Sequence, residues 1–218
     1  MVEALIPSKY GKLLQEEFIH KFGVVLIKPD AVELGVDDYI IGRFTQELYE
    51  GGIGVLQGVY EVNVKKIDIP LIYPSMSKED YLAVESYLTE GPSVLFTYTG
   101  SGRFNLQDRI NNIKGKRLGD SSLEELDGKN GFGNSIRGML PVPGTIKQFE
   151  PVVRRIKLKK NDPSIRFSDA EYHIYSKNLV HSPNDYLETF GLLCLLSAQQ
   201  LREVLSSKQY LLFRSSAA

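Results

Sequence analysis

The stretch VVLIKPDAV, from Val24 to Val32, carries the strongest structural signal in this chain. Four apolar residues are followed at once by Lys28, Pro29 and Asp30. A short apolar run bounded in this way is typical of a buried strand. Proline ends the strand because its ring fixes φ and removes the backbone donor. The sequence therefore predicts a buried strand with a lysine at its tip.

A second stretch, Asn178-Leu179-Val180-His181, follows the same pattern: apolar residues are followed by a polar side chain, here the imidazole of His181. Two such strand ends are expected to meet at one edge of a sheet. A lysine beside a histidine suits phosphate chemistry, because the lysine neutralises phosphate charge and an imidazole nitrogen can take up a phosphoryl group. The alternatives are a solvated strand-end charge for Lys28 and a structurally satisfied side chain for His181.

Composition and charge are those of an ordinary globular chain. The 218 residues are 42% apolar and 24% charged, with a net charge of −1. One sizeable domain is expected, and no overall field attracts nucleic acid or a membrane. The single cysteine, Cys194, excludes an internal disulfide and predicts a small core residue. With no signal-peptide pattern and no apolar run of about 18 residues, a cytoplasmic protein is expected.

Hydrophobic periodicity predicts strands alternating with helices along most of the chain. Asp37 or Asp38 is the expected N-cap of the first helix, and Gly51-Gly52 is its expected end. The predicted elements after the opening strand are a helix over 37–50, a strand over 53–63, a helix over 77–88, a strand over 93–98, a helix over 104–118, a β-rich segment over 172–181, and helices over 184–196 and 198–205.

Residues 119–163 interrupt this alternation. They are rich in glycine and proline and include the basic run 154–160. A long segment without periodicity is usually a functional loop or an insertion. The predicted organisation is an N-terminal extension (1–21), one domain (22–205) with an inserted irregular or β segment over about 119–163, and a C-terminal tail (206–218).

The two strand-end motifs are accompanied by a Gly91-Pro92 pair before an apolar strand and by the helical sequence from Ile41 to Phe44. In this order, the motifs resemble those of the nucleoside diphosphate kinases. The resemblance covers residues 22–118 and 164–193. It implies an α+β, ferredoxin-like domain, in which helices cover one face of a four-stranded antiparallel sheet. It also implies Mg-dependent, ping-pong transfer of the γ-phosphate of ATP, or of another nucleoside triphosphate, to a nucleoside diphosphate through a phosphorylated histidine.

Carried over residue by residue, the resemblance gives His181 the role of the phosphorylated histidine. Lys28 matches the lysine that touches the transferred phosphate. The remaining matches are a sugar-binding asparagine, a tyrosine that supports the histidine and lysine, a base-stacking aromatic residue and a phosphate-binding arginine: Asn178, Tyr73, Tyr81 and Arg117. A core position on its helix is the alternative for Tyr81. The resemblance also implies a homo-oligomer.

The sequence departs from the family pattern at a phosphate-binding arginine and at the glutamate that holds the histidine. The second phosphate-binding arginine has two candidates: Arg137 has the better motif, whereas Arg166 lies closer to the family spacing and is favoured. Leu192 and Leu193 stand where the family has the glutamate that holds its histidine, and Glu188 is the substitute on offer. These departures leave open a different phosphorylated small molecule as acceptor, or a nucleotide- or partner-binding module without turnover. Nucleic-acid binding through residues 154–160 is the weakest alternative.

Overall fold

Among the residues that the structure describes, the sheet has four strands: Phe22–Ile27 (β1), Gly54–Val62 (β2), Ser93–Gly100 (β3) and Val180–His181 (β4). In this computed structural model their order is β2-β3-β1-β4, and every neighbouring pair is antiparallel. This arrangement confirms the expected α+β, ferredoxin-like fold. The residues that the structure describes are 18, 20–76, 78–100, 102, 104–115, 136–137, 164 and 179–206.

Strand β1 is buried along its whole length because helices cover both faces of the sheet. Val24 and Leu26 belong to one hydrophobic cluster, and Val25 and Ile27 belong to another. Alternate side chains of a strand point to opposite faces, so the two clusters lie on opposite sides of the sheet. The expectation that helices cover only one face is therefore wrong, and the double burial explains why the strand reads as a continuous apolar run.

The helices are Pro29–Glu33 (α1), Asp37–Glu50 (α2), Ile69–Ile72 (α3), Lys78–Leu88 (α4), Leu106–Lys114 (α5), Tyr186–Leu193 (α6) and Ala198–Ser206 (α7), with a 3₁₀ turn at Lys66–Asp68 before α3. Phe44 of α2 and Ile110 of α5 pack in the cluster of Val25, which we call the rear cluster. Ile72 of α3, Leu88 of α4 and Leu192 of α6 pack in the cluster of Val24, the front cluster.

Helix α2 has the predicted length, but its N-cap is Val36 rather than Asp37 or Asp38. Both aspartates lie in the first helical turn, where a negative charge interacts favourably with the helix dipole. The helix ends at Gly51, and Gly52 then adopts a φ of +61°, which glycine tolerates without steric cost.

Several helical elements differ from prediction, either in their presence or in their limits. The sequence did not predict α1, the 3₁₀ turn or α3, all of which are too short for a periodic signal. Helix α5 is shorter than predicted: the side chain of its N-cap Asn105 accepts a bond from the Asp108 amide, and Gly115 ends it with a φ of +83°. Helix α6 begins later, after the N-cap Asp185.

Only Ile136 and Arg137 of the predicted insertion are described, and both are buried. Ile136 packs in the rear cluster, and its amide donates to the Ile113 carbonyl at 3.0 Å. At least this part of the 119–163 segment therefore belongs to the core. The basic run lies outside the described residues, and the predicted domain limits stay predictions. Cys194 is exposed, so its prediction as a core residue is wrong.

Candidate functional site

The two strand ends of the opening motifs lie side by side in the sheet. Leu26 pairs with His181 and Ile27 with Val180, and the Lys28 amide donates to the Leu179 carbonyl at 2.8 Å. Residues directly opposite each other point to the same face, and diagonal neighbours on that face are about 7–8 Å apart. Lys28 keeps an extended backbone and continues the alternation of β1. Its side chain therefore shares the front face with His181, as the sequence predicts.

His181 is 3% exposed, and its ring lies against that of Tyr73. The ring centroids are 4.5 Å apart, and the planes are tilted by 50°. Tyr73 occupies this position because it directly follows the short helix α3, which packs against α6, the helix that comes after the histidine. The structure thus brings together three of the residues that the sequence predicted for the site, namely Lys28, Tyr73 and His181.

Lys28 is 4% exposed, which is unusual for a lysine. Its Nζ lies 5.4 Å from the ring centroid of Tyr87, a cation–π geometry. The Tyr87 hydroxyl donates to Oδ1 of Asp30. Burial is the main cause that raises the pKa of Tyr87, and the Asp30 carboxylate raises it further. The hydroxyl therefore remains a donor at physiological pH.

Asp30 also fixes the segment that leads to His181. Its Oδ2 accepts a bond from the Leu179 amide at 3.0 Å. Leu179 has a φ of +62°, a left-handed conformation that costs a non-glycine residue about 1–2 kcal/mol. A hydrogen bond to a charged group contributes about 1.5–3 kcal/mol, enough to offset this strain. The sequence did not predict the roles of Asp30 and Tyr87, although Asp30 lies in the opening motif and Tyr87 lies in the helix predicted over 77–88.

Glu188, the predicted substitute for the glutamate that holds the histidine, lies close to His181. Its Oε2 is 3.9 Å from Nε2 of His181, within ion-pair reach but beyond hydrogen-bond distance. The same Oε2 accepts the Asn184 amide at 2.8 Å, which fixes the carboxylate at the start of α6. Leu192 and Leu193, at the expected glutamate positions, are buried in the front cluster. The carboxylate near His181 therefore comes from Glu188, one turn before Leu192 on α6.

Arg137 is 5% exposed and bonds to backbone carbonyls near the histidine. Its Nη2 donates to the Val180 carbonyl at 2.9 Å, and its Nη1 donates to the Gly115 carbonyl at 3.4 Å. These contacts tie the inserted segment to β4, directly before His181.

Tyr81 packs against the front cluster, and its hydroxyl donates to the Lys66 carbonyl at 2.8 Å. The structure therefore joins it to the 3₁₀ turn; within the described part of the chain, no contact joins it to His181. The other predicted site residues, Arg117, Arg166 and Asn178, lie outside the described residues, and their roles stay predictions.

Within the described ranges, no three His, Cys, Asp or Glu side chains come close enough to hold a metal ion. Both carboxylate oxygens of Asp30 already accept protein hydrogen bonds. The same described ranges contain no helix that is long and apolar enough to cross a membrane.

Neither a protein-family model nor a curated protein matches this chain. Solved structures do. The nucleoside diphosphate kinase of Aquifex aeolicus is similar, with a TM-score of 0.52 and 15% sequence identity, over 82% of this chain and 96% of that chain. The NDP kinase from Pyrobaculum aerophilum is similar, with a TM-score of 0.52 and 16% identity, over 83% of this chain and 97% of that chain. These similarities confirm the nucleoside diphosphate kinase-like fold that the motifs implied.

Proposed function

We propose that the protein is a nucleotide-dependent phosphotransferase that moves the γ-phosphate of a nucleoside triphosphate to a diphosphate acceptor through phospho-His181. The observation that carries this proposal is the placement of Lys28, Tyr73 and His181 on one face at the meeting ends of β1 and β4. A lysine beside a histidine suits an anionic substrate, because its ammonium group can neutralise phosphate charge. A homo-oligomer in the cytoplasm is part of the same proposal.

Two in-line displacements make up the proposed reaction. A nitrogen of neutral His181 attacks the γ-phosphorus, the bond to the β,γ-bridging oxygen breaks, and the nucleoside diphosphate leaves with that electron pair. The terminal oxygen of the acceptor diphosphate then attacks the phosphoryl group and restores the imidazole. Lys28 neutralises charge on the phosphoryl oxygens in both steps. The Tyr73 ring limits rotation of the imidazole.

The proposed reaction includes a Mg²⁺ ion that would enter with its nucleotide. Magnesium is commonly held by substrate phosphates, waters and one or two carboxylates rather than by a protein cage. The described residues form no such cage. When bound to the triphosphate, the ion supplies further neutralisation of phosphate charge.

The test of the proposal is triphosphate formation from ATP, Mg²⁺ and a panel of nucleoside diphosphates, followed by ion-exchange chromatography. His181→Gln is expected to lower the rate by at least about 1,000-fold, because it removes the nucleophile. His20→Gln is the matched control, since His20 is half-buried and lies outside the site; it is expected to turn over at the wild-type rate. Equal rates in the two variants would contradict the role of His181.

A binding module without turnover is the second candidate, and the 3.9 Å separation between Glu188 and His181 favours it. A carboxylate at that distance holds the imidazole less firmly than a hydrogen bond does. Nucleotide binding by the wild-type chain without any product from the diphosphate panel would support this candidate. The same result followed by product from another phosphorylated small molecule would identify a non-standard acceptor.

Glu188→Gln is expected to reduce phosphoryl transfer by about 10–100-fold. Glutamine keeps an oxygen that can accept the Asn184 amide, so the start of α6 is retained while the negative charge near His181 is lost. Steady-state rates of Glu188→Gln and of the control Glu33→Gln, an exposed site on α1, measure the effect. A wild-type rate for Glu188→Gln would mean that the carboxylate has no role in the reaction.

A further inference from the structure

Helix α5 has a row of polar side chains that faces the protein interior. Gln107, Asn111 and Lys114 are spaced by four and three residues, so they lie on one face of the helix. Gln107 is 2% exposed and Lys114 is 7% exposed, although neighbouring positions of α5 hold apolar core residues such as Ile110. Polar groups at such positions cost free energy unless they are bonded. The row therefore has bonding partners that explain its burial.

The partners are the two residues that follow His181. The Pro183 carbonyl accepts bonds from Nε2 of Gln107 at 2.9 Å and from Nδ2 of Asn111 at 3.1 Å. The Ser182 carbonyl accepts a bond from Nζ of Lys114 at 3.1 Å. Oδ1 of Asn111 accepts from Nζ of Lys114 at 2.6 Å and from the Ser182 hydroxyl at 2.5 Å. Asn111 is thus the centre of the network.

The segment after His181 depends on these bonds because the sheet supplies few. Strand β4 contains only Val180 and His181, and Pro183 has no backbone N–H to offer. Ser182 and Pro183 are nevertheless buried, so their carbonyls require donors inside the protein. Side chains of α5 provide those donors.

We propose that Gln107, Asn111 and Lys114 form a clamp on the Ser182-Pro183 carbonyls that sets the position of the His181 imidazole for phosphoryl transfer. The kinetic part of this inference rests on the proposed function. The clamp residues are positioning residues, since each of them acts on the backbone of the histidine segment and reaches the imidazole only through it. Phosphoryl transfer needs in-line geometry, and a displacement of about 1 Å lowers a rate by about 100-fold. The clamp therefore governs kcat rather than nucleotide affinity.

Asn111→Ala tests the clamp, and Asn112→Ala is its matched control. The two asparagines are neighbours on α5, but Asn112 is exposed. In Asn111→Ala, amide hydrogen exchange of the 179–185 peptide is expected to accelerate at least about 10-fold, with unchanged exchange in β1 and β3. kcat is expected to fall by about 10–100-fold, with KM within about twofold of wild type. Asn112→Ala is expected to change neither quantity.

Lys114→Met and Lys114→Arg provide a second, independent pair if Asn111→Ala does not fold. Methionine removes the ammonium group and should reproduce the faster exchange and the lower kcat; arginine keeps a donor and should restore most of both. Unchanged exchange of the 179–185 peptide in Lys114→Met would overturn the clamp, as would faster exchange with an unchanged kcat. If the wild-type chain shows no turnover, the proposed function fails, and the exchange measurement alone then decides whether the clamp holds the segment.

Discussion

Replacing Lys28 by methionine is expected to lower phosphoryl transfer by about 100–1,000-fold while leaving the free energy of unfolding unchanged or higher. The loss in rate follows from removing a buried cation that shares the front face with His181, a group that stabilises charge developing in the transition state. Methionine keeps the length of the apolar stem, so the packing beside Tyr87 is retained.

Two opposing contributions bear on the expected change in the free energy of unfolding. The cation–π contact between Lys28 and Tyr87 is worth about 0.5–2 kcal/mol. Keeping a charge at 4% exposure costs several kcal/mol of desolvation. Methionine removes this desolvation cost together with the cation–π contact, so we expect the free energy of unfolding to be unchanged or higher.

Turnover and urea unfolding of the same preparations measure the rate of phosphoryl transfer and the free energy of unfolding. Lys65→Met is the control, because Lys65 is exposed and lies just before the 3₁₀ turn, and it should change neither quantity by more than a small amount. A Lys28→Met variant that loses several kcal/mol of stability and keeps its rate would instead give Lys28 a purely structural role.

Gly191→Ala is expected to destabilise the protein by about 2 kcal/mol or more. A Cβ at this position would lie 1.8 Å from the carbonyl oxygen of Leu71 and 2.4 Å from its carbonyl carbon. Both atoms belong to the backbone of α3, so no side-chain rotation relieves the clash. Overpacking of this kind costs about 1–3 kcal/mol and sometimes more, which exceeds the gain of about 1 kcal/mol that alanine brings to a helix interior.

The clash also reaches the site, because Tyr73 directly follows α3 and lies against His181. Gly191→Ala should therefore lower turnover even where the protein remains folded. Gly42→Ala is a control of opposite sign: Gly42 lies inside α2, and a Cβ there meets nothing within 4 Å. Its denaturation midpoint in urea should rise, by the equivalent of about 0.5–1 kcal/mol. Equal effects of the two substitutions would contradict the close packing of α6 on α3.

The sequence predicted those parts of the fold that local pattern determines. Helix α2 matched its predicted limits because its periodic apolar face and terminal glycines are strong short-range signals. The placement of Lys28 and His181 at neighbouring strand ends was predictable because each follows a short apolar run that is typical of a strand. Helices on both faces were not predicted: the continuous apolar run of β1 indicates burial on both faces, but it does not identify the elements that cover them.

The residues that hold the site in place make contacts with residues far away in the sequence, which no local pattern can predict. In the sequence, Asp30 is an ordinary acidic residue after the end of the predicted strand, yet its partners Tyr87 and Leu179 are 57 and 149 residues away. Asn111 and Lys114 show a detectable anomaly, namely polar residues on the core face of an amphipathic helix. That anomaly indicates a buried network, but only the fold identifies Ser182 and Pro183 as its partners.

The measurement that tests the central claim most directly is the location of the phosphoryl group after incubation with γ-labelled ATP and Mg²⁺, without an acceptor. We expect acid-labile, alkali-stable label on the peptide that contains His181, absent from His181→Gln and discharged when a diphosphate is added. Label that persists in His181→Gln, or a wild-type chain that binds ATP and takes up no label, would contradict the claim that His181 carries the phosphoryl group.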